Sequence, residues 1–170
     1  MPLSILPSNV FKTGIIGAKF DGTDIKAENK LDIETADMSF MRSRNVAIGI
    51  ATGGNVQVIN ADAKNETASN IDFFGNDNTV AAKNISVSTT NAVNQSVVSD
   101  AHLASIFVNV PVTLTKTNDI SRTNIYISDK YKFEGETAKF EEKNNPVVRA
   151  ESLQNPYLAA VQMTAFKALA

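Results

Sequence analysis

Between Ile106 and Thr115 the chain alternates without a break. Ile106, Val108, Val110, Val112 and Leu114 hold one parity, and Phe107, Asn109, Pro111, Thr113 and Thr115 hold the other. Successive side chains of a strand point to opposite faces, whereas a helix would scatter these five aliphatics around its circumference. The segment is therefore a strand, and the aliphatic parity is expected in the core. Pro111 has no N–H to give a ladder, which places the strand at a sheet edge or gives it a bulge. A long edge invites unwanted pairing unless something covers it, and in an assembly subunit a neighbour can be that cover.

Other segments carry the same period. Val10–Ile33 reads as a hairpin turning at Asp21-Gly22-Thr23-Asp24, with a bulge at Gly14 or Gly17. Val46–Ile50 and Val56–Ile59 read as a second hairpin around Thr52-Gly53-Gly54-Asn55. Ile125–Ser128 and Tyr131–Phe133 read as another pair of strands. Asn60–Asn78 is dominated by Ala, Asp, Asn, Glu and Lys and reads as a long surface loop with a short apolar break at Ile71–Phe74. Asparagine occurs eighteen times against four glutamines. Asn tolerates left-handed backbone and bonds its own main chain, which points to many turns. No repeat at a solenoid period is visible.

The last residues read differently. Asn155 is a good helix N-cap and Pro156 a good first helical residue. Leu158, Val161, Ala165, Ala168 and Leu169 then share one helical face, with Phe166 at its border. The expected organisation is a β domain over residues 1–145 and a linker with a docking helix over 146–170. Leu158, Val161, Phe166 and Leu169 are the candidate interface, joined by Phe73 and Phe74 from the 60–78 loop.

Composition excludes more than it identifies. A chain of 170 residues needs no disulfide or metal to bury a core, and it has no cysteine, so thiolate metal sites and cysteine nucleophiles are out. Net charge is −2, and the nearest approach to a basic patch is Arg42-Ser43-Arg44, so no direct nucleic-acid binding is expected. The start, Met1-Pro2-Leu3-Ser4-Ile5-Leu6-Pro7, has no basic leader and two prolines, and no stretch is long enough for a membrane helix. Neither a signal peptide nor membrane insertion is expected.

No catalytic constellation emerges. His102 is the only histidine, in Ser99–Ala104, a segment that reads as a capped helical turn. One imidazole cannot build a two-histidine metal site, and no Gly-x-Ser-x-Gly surrounds a serine. Asp72, Asn76, Asp77 and Asn78 gather oxygens but lack the EF-hand spacing and its closing glutamate. Gly49-x-x-x-Gly53-Gly54 lacks the Lys-Ser/Thr of a phosphate loop. Asn65, Asn84 and Asn94 open glycosylation-type triplets that chance explains in so Asn-rich a chain. Glu134, Glu136, Glu141 and Glu142 form a solvated charged strip rather than a convergent acid–base pair. The reading is of a protein that is not an enzyme and takes no cofactor or metal.

The absence of cysteine, the single histidine, the abundance of Asn, Ser, Thr and Ala, the short strands and the docking tail together resemble bacteriophage and other viral structural proteins. The resemblance is one of profile over the whole chain and transfers no residue. It implies a mainly β fold, an antiparallel sandwich or jelly roll with a short C-terminal helix. It also implies a structural subunit of a virion (minor capsid, vertex, decoration or tail), made in the host cytoplasm, whose partners are copies of itself and other structural proteins. The competing expectation is an adhesin or carbohydrate-binding sandwich using the 60–78 loop.

Overall fold

A computed structural model describes residues 3–157, 161–162 and 165–169, and every element among them is a strand. A first circuit runs through β1 (Leu3–Asp21), β2 (Ile25–Lys26), β3 (Lys30–Asp37) and β4 (Phe40–Ala51). A second takes the same path through β5 (Gly54–Phe74), β6 (Asn78–Ala81), β7 (Asn84–Asn91) and β8 (Asn94–Ser105). The third comprises β9 (Val108–Asp119), β10 (Arg122–Ile127), β11 (Tyr131–Glu134), β12 (Thr137–Asn144) and β13 (Val147–Tyr157), and β14 (Val161–Gln162) with β15 (Ala165–Leu169) begin a fourth.

Each circuit lies on the one before it, and every pairing is parallel. Leu3 stands opposite Val56, Gly54 opposite Val108, and Val108 opposite Val161, so the rise of one strand takes 53 or 54 residues. Four sheets result: a long one ordered β1-β5-β9-β14 that also carries β10 and β15, and three shorter ones, β2-β6-β11, β3-β7-β12 and β4-β8-β13. The turns stack too: Gly22 N–H donates to Phe74 O at 2.9 Å, and Ala92 N–H to Asp37 O at 2.8 Å. This is a solenoid of β-helix type, each circuit bonding only to its neighbours.

The antiparallel sandwich or jelly roll is therefore overturned. Asp21-Gly22 is a turn, with Gly22 at φ +62°, but it swings the chain into the next sheet rather than back along β1. The Thr52–Asn55 turn joins β4 to β5, which belong to different sheets, so neither expected hairpin exists. The expected 60–78 loop is mostly the body of β5, the central strand of the long sheet. The expected C-terminal helix is replaced by strand: Asn155 and Pro156 lie in β13 opposite His102 and Leu103, and β14 and β15 come after it. Pro156 is tolerated there because, among the described residues, β13 pairs only on its β8 side.

The interior divides in two. Where the far half of β5 meets the β3-β7-β12 and β2-β6-β11 sheets, Ile33, Ile71, Phe73, Val80, Ile85, Val87 and Tyr131 form an apolar core. Phe73 is its centre. Its ring stacks on Phe20 at 5.0 Å and meets Phe133 edge-on at 5.1 Å and Tyr131 at 5.3 Å. The columns are register-matched: Phe20 over Phe73 over Ile127, and Ile33 over Val87 over Phe140. Where the first half of the long sheet faces the β4-β8-β13 sheet, the interior mixes polar side chains with apolar ones, Ala47, Ile59, Ala101 and Leu103 among them. Asn55, Gln57, Asn65, Gln95, Ser99, Asn109, Thr113 and Thr115 are all buried there, beside small patches such as Ala61, Ala63 and Val97.

Candidate interaction surface

The polar interior fixes what the outside must be. In a strand the parity that faces in leaves the other facing out, and in β9 the inward parity is Asn109, Pro111, Thr113, Thr115 and Thr117. These side chains bond across to the opposing sheet. Asn109 Nδ2 donates to Leu103 O at 3.3 Å, and Thr115 Oγ1 to Glu151 O at 3.0 Å. Ser152 Oγ donates to Thr113 Oγ1 at 2.6 Å, and Gln154 Nε2 to the same oxygen at 2.9 Å. The expected placement of the aliphatic parity is thereby corrected: Val108, Val110, Val112 and Leu114 lie on the outer face. Hydroxyls and amide N–H groups inside bond across to the opposing sheet, and a one-residue slip would break those bonds, while the side-chain oxygens of Gln57, Asn65, Asn91 and Gln95 are buried without a hydrogen-bond partner among the described residues.

The neighbouring strands extend the face. Ile5 lies over Val58 over Val112, and Val56 over Val110. Ile5 is 65% exposed, and the valines between strands are half-buried by their ladder neighbours. At the corner after β8, Ile106 and Phe107 are each 60% exposed, and on the other side of this lobe Val46, Ile48 and Ile50 of β4 also face outward. The apolar rows end at Asn60, between Pro7 and Leu114, and at exposed Lys167 opposite Leu114. Farther along the long sheet the outer face turns charged, with Asp62, Lys64 and Glu66 on β5 and Lys116 opposite Asp62.

Deeper in the same lobe lies a seam of polar side chains. Lys12 Nζ is 2.5 Å from both carboxylate oxygens of buried Asp37 and from Ser39 Oγ. One circuit on, Asn91 Nδ2 donates to Thr67 Oγ1 at 3.0 Å. Asn65 Nδ2 and Gln95 Nε2 both donate to Asp119 Oδ1, at 2.7 and 2.8 Å. Thr35, Ser69 and Thr89 continue the seam through Thr35 Oγ1–Thr89 Oγ1 at 3.1 Å and Ser69 Oγ–Thr35 Oγ1 at 3.0 Å. The seam holds no nucleophile paired with a base, since Lys12 is engaged by a carboxylate.

The residues singled out from the sequence are dispersed. Phe73 sits in the apolar core, unavailable to a partner, while Phe74 on the outer parity lies 4.9 Å from the Tyr126 ring with Lys19 Nζ 5.1 Å from its centroid. Leu158 lies outside the described residues, and Val161, Phe166 and Leu169 are placed opposite Val108, Thr113 and Lys116 as members of β14 and β15. His102 is in β8 rather than a helical turn, its Nε2 3.1 Å from Asp100 Oδ1 on the outer face. Arg44 faces Asp100 at 3.7 Å. Arg42 lines a shallow groove with Phe40, Ser96, Val147 and Arg149, and Arg149 is held by Glu151.

The acidic groups do not converge either. Asp72 is on the outer face of β5, while the turn at Asn78 is held by Asp24, whose Oδ1 accepts Thr79 N–H at 2.8 Å. Glu142 Oε1 accepts Ile125 N–H at 2.7 Å. Glu141 sits between Lys139 at 2.9 Å and Lys143 at 3.0 Å, and those two ammonium groups hold its carboxyl below the usual value. Among the described residues no three His, Cys, Asp or Glu side chains gather as metal ligands.

What sequence reasoning missed is the outward role of Ile5, Val56, Val58, Val110 and Val112. One signal was present: Asn55 and Asn109, 54 residues apart, occupy the same interior column. No family model, curated protein or solved structure matches the chain.

Proposed function

We propose that the chain is a non-enzymatic structural subunit of a larger assembly, acting through protein–protein contacts, with a virion as the assembly that its profile favours. One observation carries the reading. The lobe between the long sheet and the β4-β8-β13 sheet buries amides and hydroxyls beside Ile59, Leu103 and small apolar side chains, while Ile5, Ile48, Ile50, Ile106 and Phe107 stand exposed on its outside. Exposed apolar side chains gathered on one lobe favour contact with other protein. The adhesin reading drew on a 60–78 loop, and that segment is strand.

The test is the location of the chain in cells that produce it. Antibody raised against the chain should label assembled particles in electron micrographs, and the chain should sediment with them. A chain that sediments alone, with particles unlabelled, would falsify the proposal.

A further inference from the structure

We infer that the outer face of the far half of the long sheet, around Tyr126, binds the rings of a neutral oligosaccharide. The inference goes beyond the structural-subunit reading and stands on other residues, so either can fail alone.

Two strands build the site. Arg122, Asn124 and Tyr126 of β10 lie directly opposite Ala68, Asn70 and Asp72 of β5. Ile125, on the other parity, packs against the apolar core, which turns Arg122, Asn124 and Tyr126 outward. Paired strands stand ~4.8 Å apart and successive outward residues ~6.6 Å apart, so the three rows cover about 5 Å by 13 Å. At one end a depression of ≈ 380 Å³ opens over Ala68, between Ile15, Ile120 and Arg122. In the middle row Gly17 of β1, opposite Asn70, has no side chain to raise the face. At the other end Tyr126 is 45% exposed and rests against Phe74, the ring centroids 4.9 Å apart.

What these side chains leave undone selects the ligand. Among the described residues, the side chains of Asn70, Asp72, Arg122 and Asn124 make no hydrogen bond or ion pair. Asn70 and Asp72 are half-buried on the central strand. Lys19, the cation in the row of Asp72, is turned to Asp21 at 3.1 Å and to the Phe74 ring at 5.1 Å. A polar group partly withdrawn from water and left unpaired is poised for a partner from outside.

The four groups share one geometry. Each is planar and offers two adjacent polar atoms: a donor beside an acceptor in the amides, two acceptors in the carboxylate, two donors in the guanidinium. Neighbouring sugar hydroxyls, each able to donate and to accept, match all three kinds. The C–H face of a pyranose ring then covers Tyr126, whose ring is apolar in its body and polar at its tip. Charge disfavours a polyanion. Asp21 neutralises Lys19, which leaves Arg122 and Asp72, one of each sign, and a phosphate backbone or an anionic bilayer finds no basic face there.

The experiment probes an array of neutral oligosaccharides of glucose, mannose, galactose and N-acetylglucosamine, with heparin beside them, using the full chain. A retained neutral series is then titrated by calorimetry at low and high salt. Binding is expected, and it should be insensitive to salt because no ion pair carries it. Tyr126→Ala should weaken it ~10-fold, the upper end of what ring stacking contributes, while Tyr126→Phe keeps most of it. Asn70→Ala and Asn124→Ala should each cost ~3–10-fold, as the loss of a hydrogen bond or two does, and both should melt close to the wild type. In the wild type, NMR shifts on titration should gather in residues 68–74 and 122–127.

A chain that retains no neutral saccharide overturns the inference. So does binding that survives Tyr126→Ala and both asparagine variants, which would place the sugar elsewhere. Salt-sensitive retention of heparin that needs Lys19 and Arg122 overturns it too, by making the face a polyanion site. None of these outcomes bears on particle labelling, which judges the structural-subunit reading.

Discussion

Val110 and Val87 put the inversion to a direct test, because both are valines in strand centres and only one faces inward. Val87 is fully buried in β7 between Ile33 and Phe140. An aspartate there has no cation to meet it and would take up a proton. A shift of three to five pKa units at ~1.4 kcal/mol each costs about 4–7 kcal/mol, and the lost valine burial adds about 1.5–3 kcal/mol. The sum approaches the entire stability of a domain, about 5–15 kcal/mol. At Val110 the carboxylate keeps its water. The loss there is part of a burial term and a strand propensity spread of about 1 kcal/mol, so Val110→Asp should cost about 1–2 kcal/mol. For a chain of this size that lowers the melting temperature by about 2–8 °C. Circular dichroism melts of both variants at a dilution where self-association is negligible give the comparison. Val110→Asp should melt cooperatively and Val87→Asp should not fold. A folded Val87→Asp beside an unfolded Val110→Asp would show that the valines of β9 are inside and that the assignment of faces is wrong.

The same geometry sets four further outcomes. Phe73→Ala removes the ring on which Phe20, Tyr131 and Phe133 converge, and chemical denaturation should show a loss of about 3–5 kcal/mol. Lys12→Met strands the Asp37 carboxylate, which is 3% exposed, and should cost about 3 kcal/mol; Lys12→Met/Asp37→Asn should recover part of that, and a double variant no better than the single would refute the pairing. Glu141, with its carboxyl held below its ordinary 4.5 by Lys139 and then Lys143, contributes stability present above the unfolded-state value and lost as pH falls through the lowered folded one; its NMR titration midpoint should rise in Lys139→Gln/Lys143→Gln. Burial raises the Tyr131 phenol above 10.0, so its contribution holds below that value and fades as pH climbs through the raised one; ultraviolet titration should find a late tyrosine that is absent in Tyr131→Phe.

Period two was legible, and its phase was not. Val108–Thr115 is a strand either way, and hydrophobicity alone assigns its aliphatics to the core. The opposite phase holds because Asn109 finds Leu103 across the corner, and Thr113 and Thr115 find partners on β13 that are distant in sequence. Turns were legible and their sense was not. Asp21-Gly22 supplies the same positive φ to a hairpin and to a solenoid corner. The direction the chain takes after it is set by pairing with β5 and β6, more than fifty residues away. The repeat escaped because a column keeps apolar character without keeping identity or size: Leu31, Ile85 and Ala138 share one, and Ile33, Val87 and Phe140 the next. The helix signal at Asn155-Pro156 is a genuine local preference that the ladder with β8 overrides. Of the candidate interface, Phe73 was apolar enough to be noticed and too buried to serve, while Val58 and Val112 looked like core.

The seam of amides and hydroxyls gives the inverted lobe a reason to keep its register. Valine columns tolerate slippage, since one β-branched side chain packs on the next about as well as on the last, and a sheet with uniform faces is prone to alternative pairings. Polar columns do not. Displacing β9 by one residue against β5 would carry Asp119 away from Asn65 and Gln95, and it would turn Thr113 and Thr115 out and Val112 and Leu114 in. Displacing β3 against β7 would separate Thr35 from Thr89 and take Asp37 away from Lys12. Each displacement leaves buried polar groups unpaired, at about 1–3 kcal/mol apiece, so the interior discriminates among registers that the exterior cannot. A slip of one residue would also present threonine and asparagine, not valine, on the outer face of β9. The polar interior and the apolar exterior are two sides of one constraint.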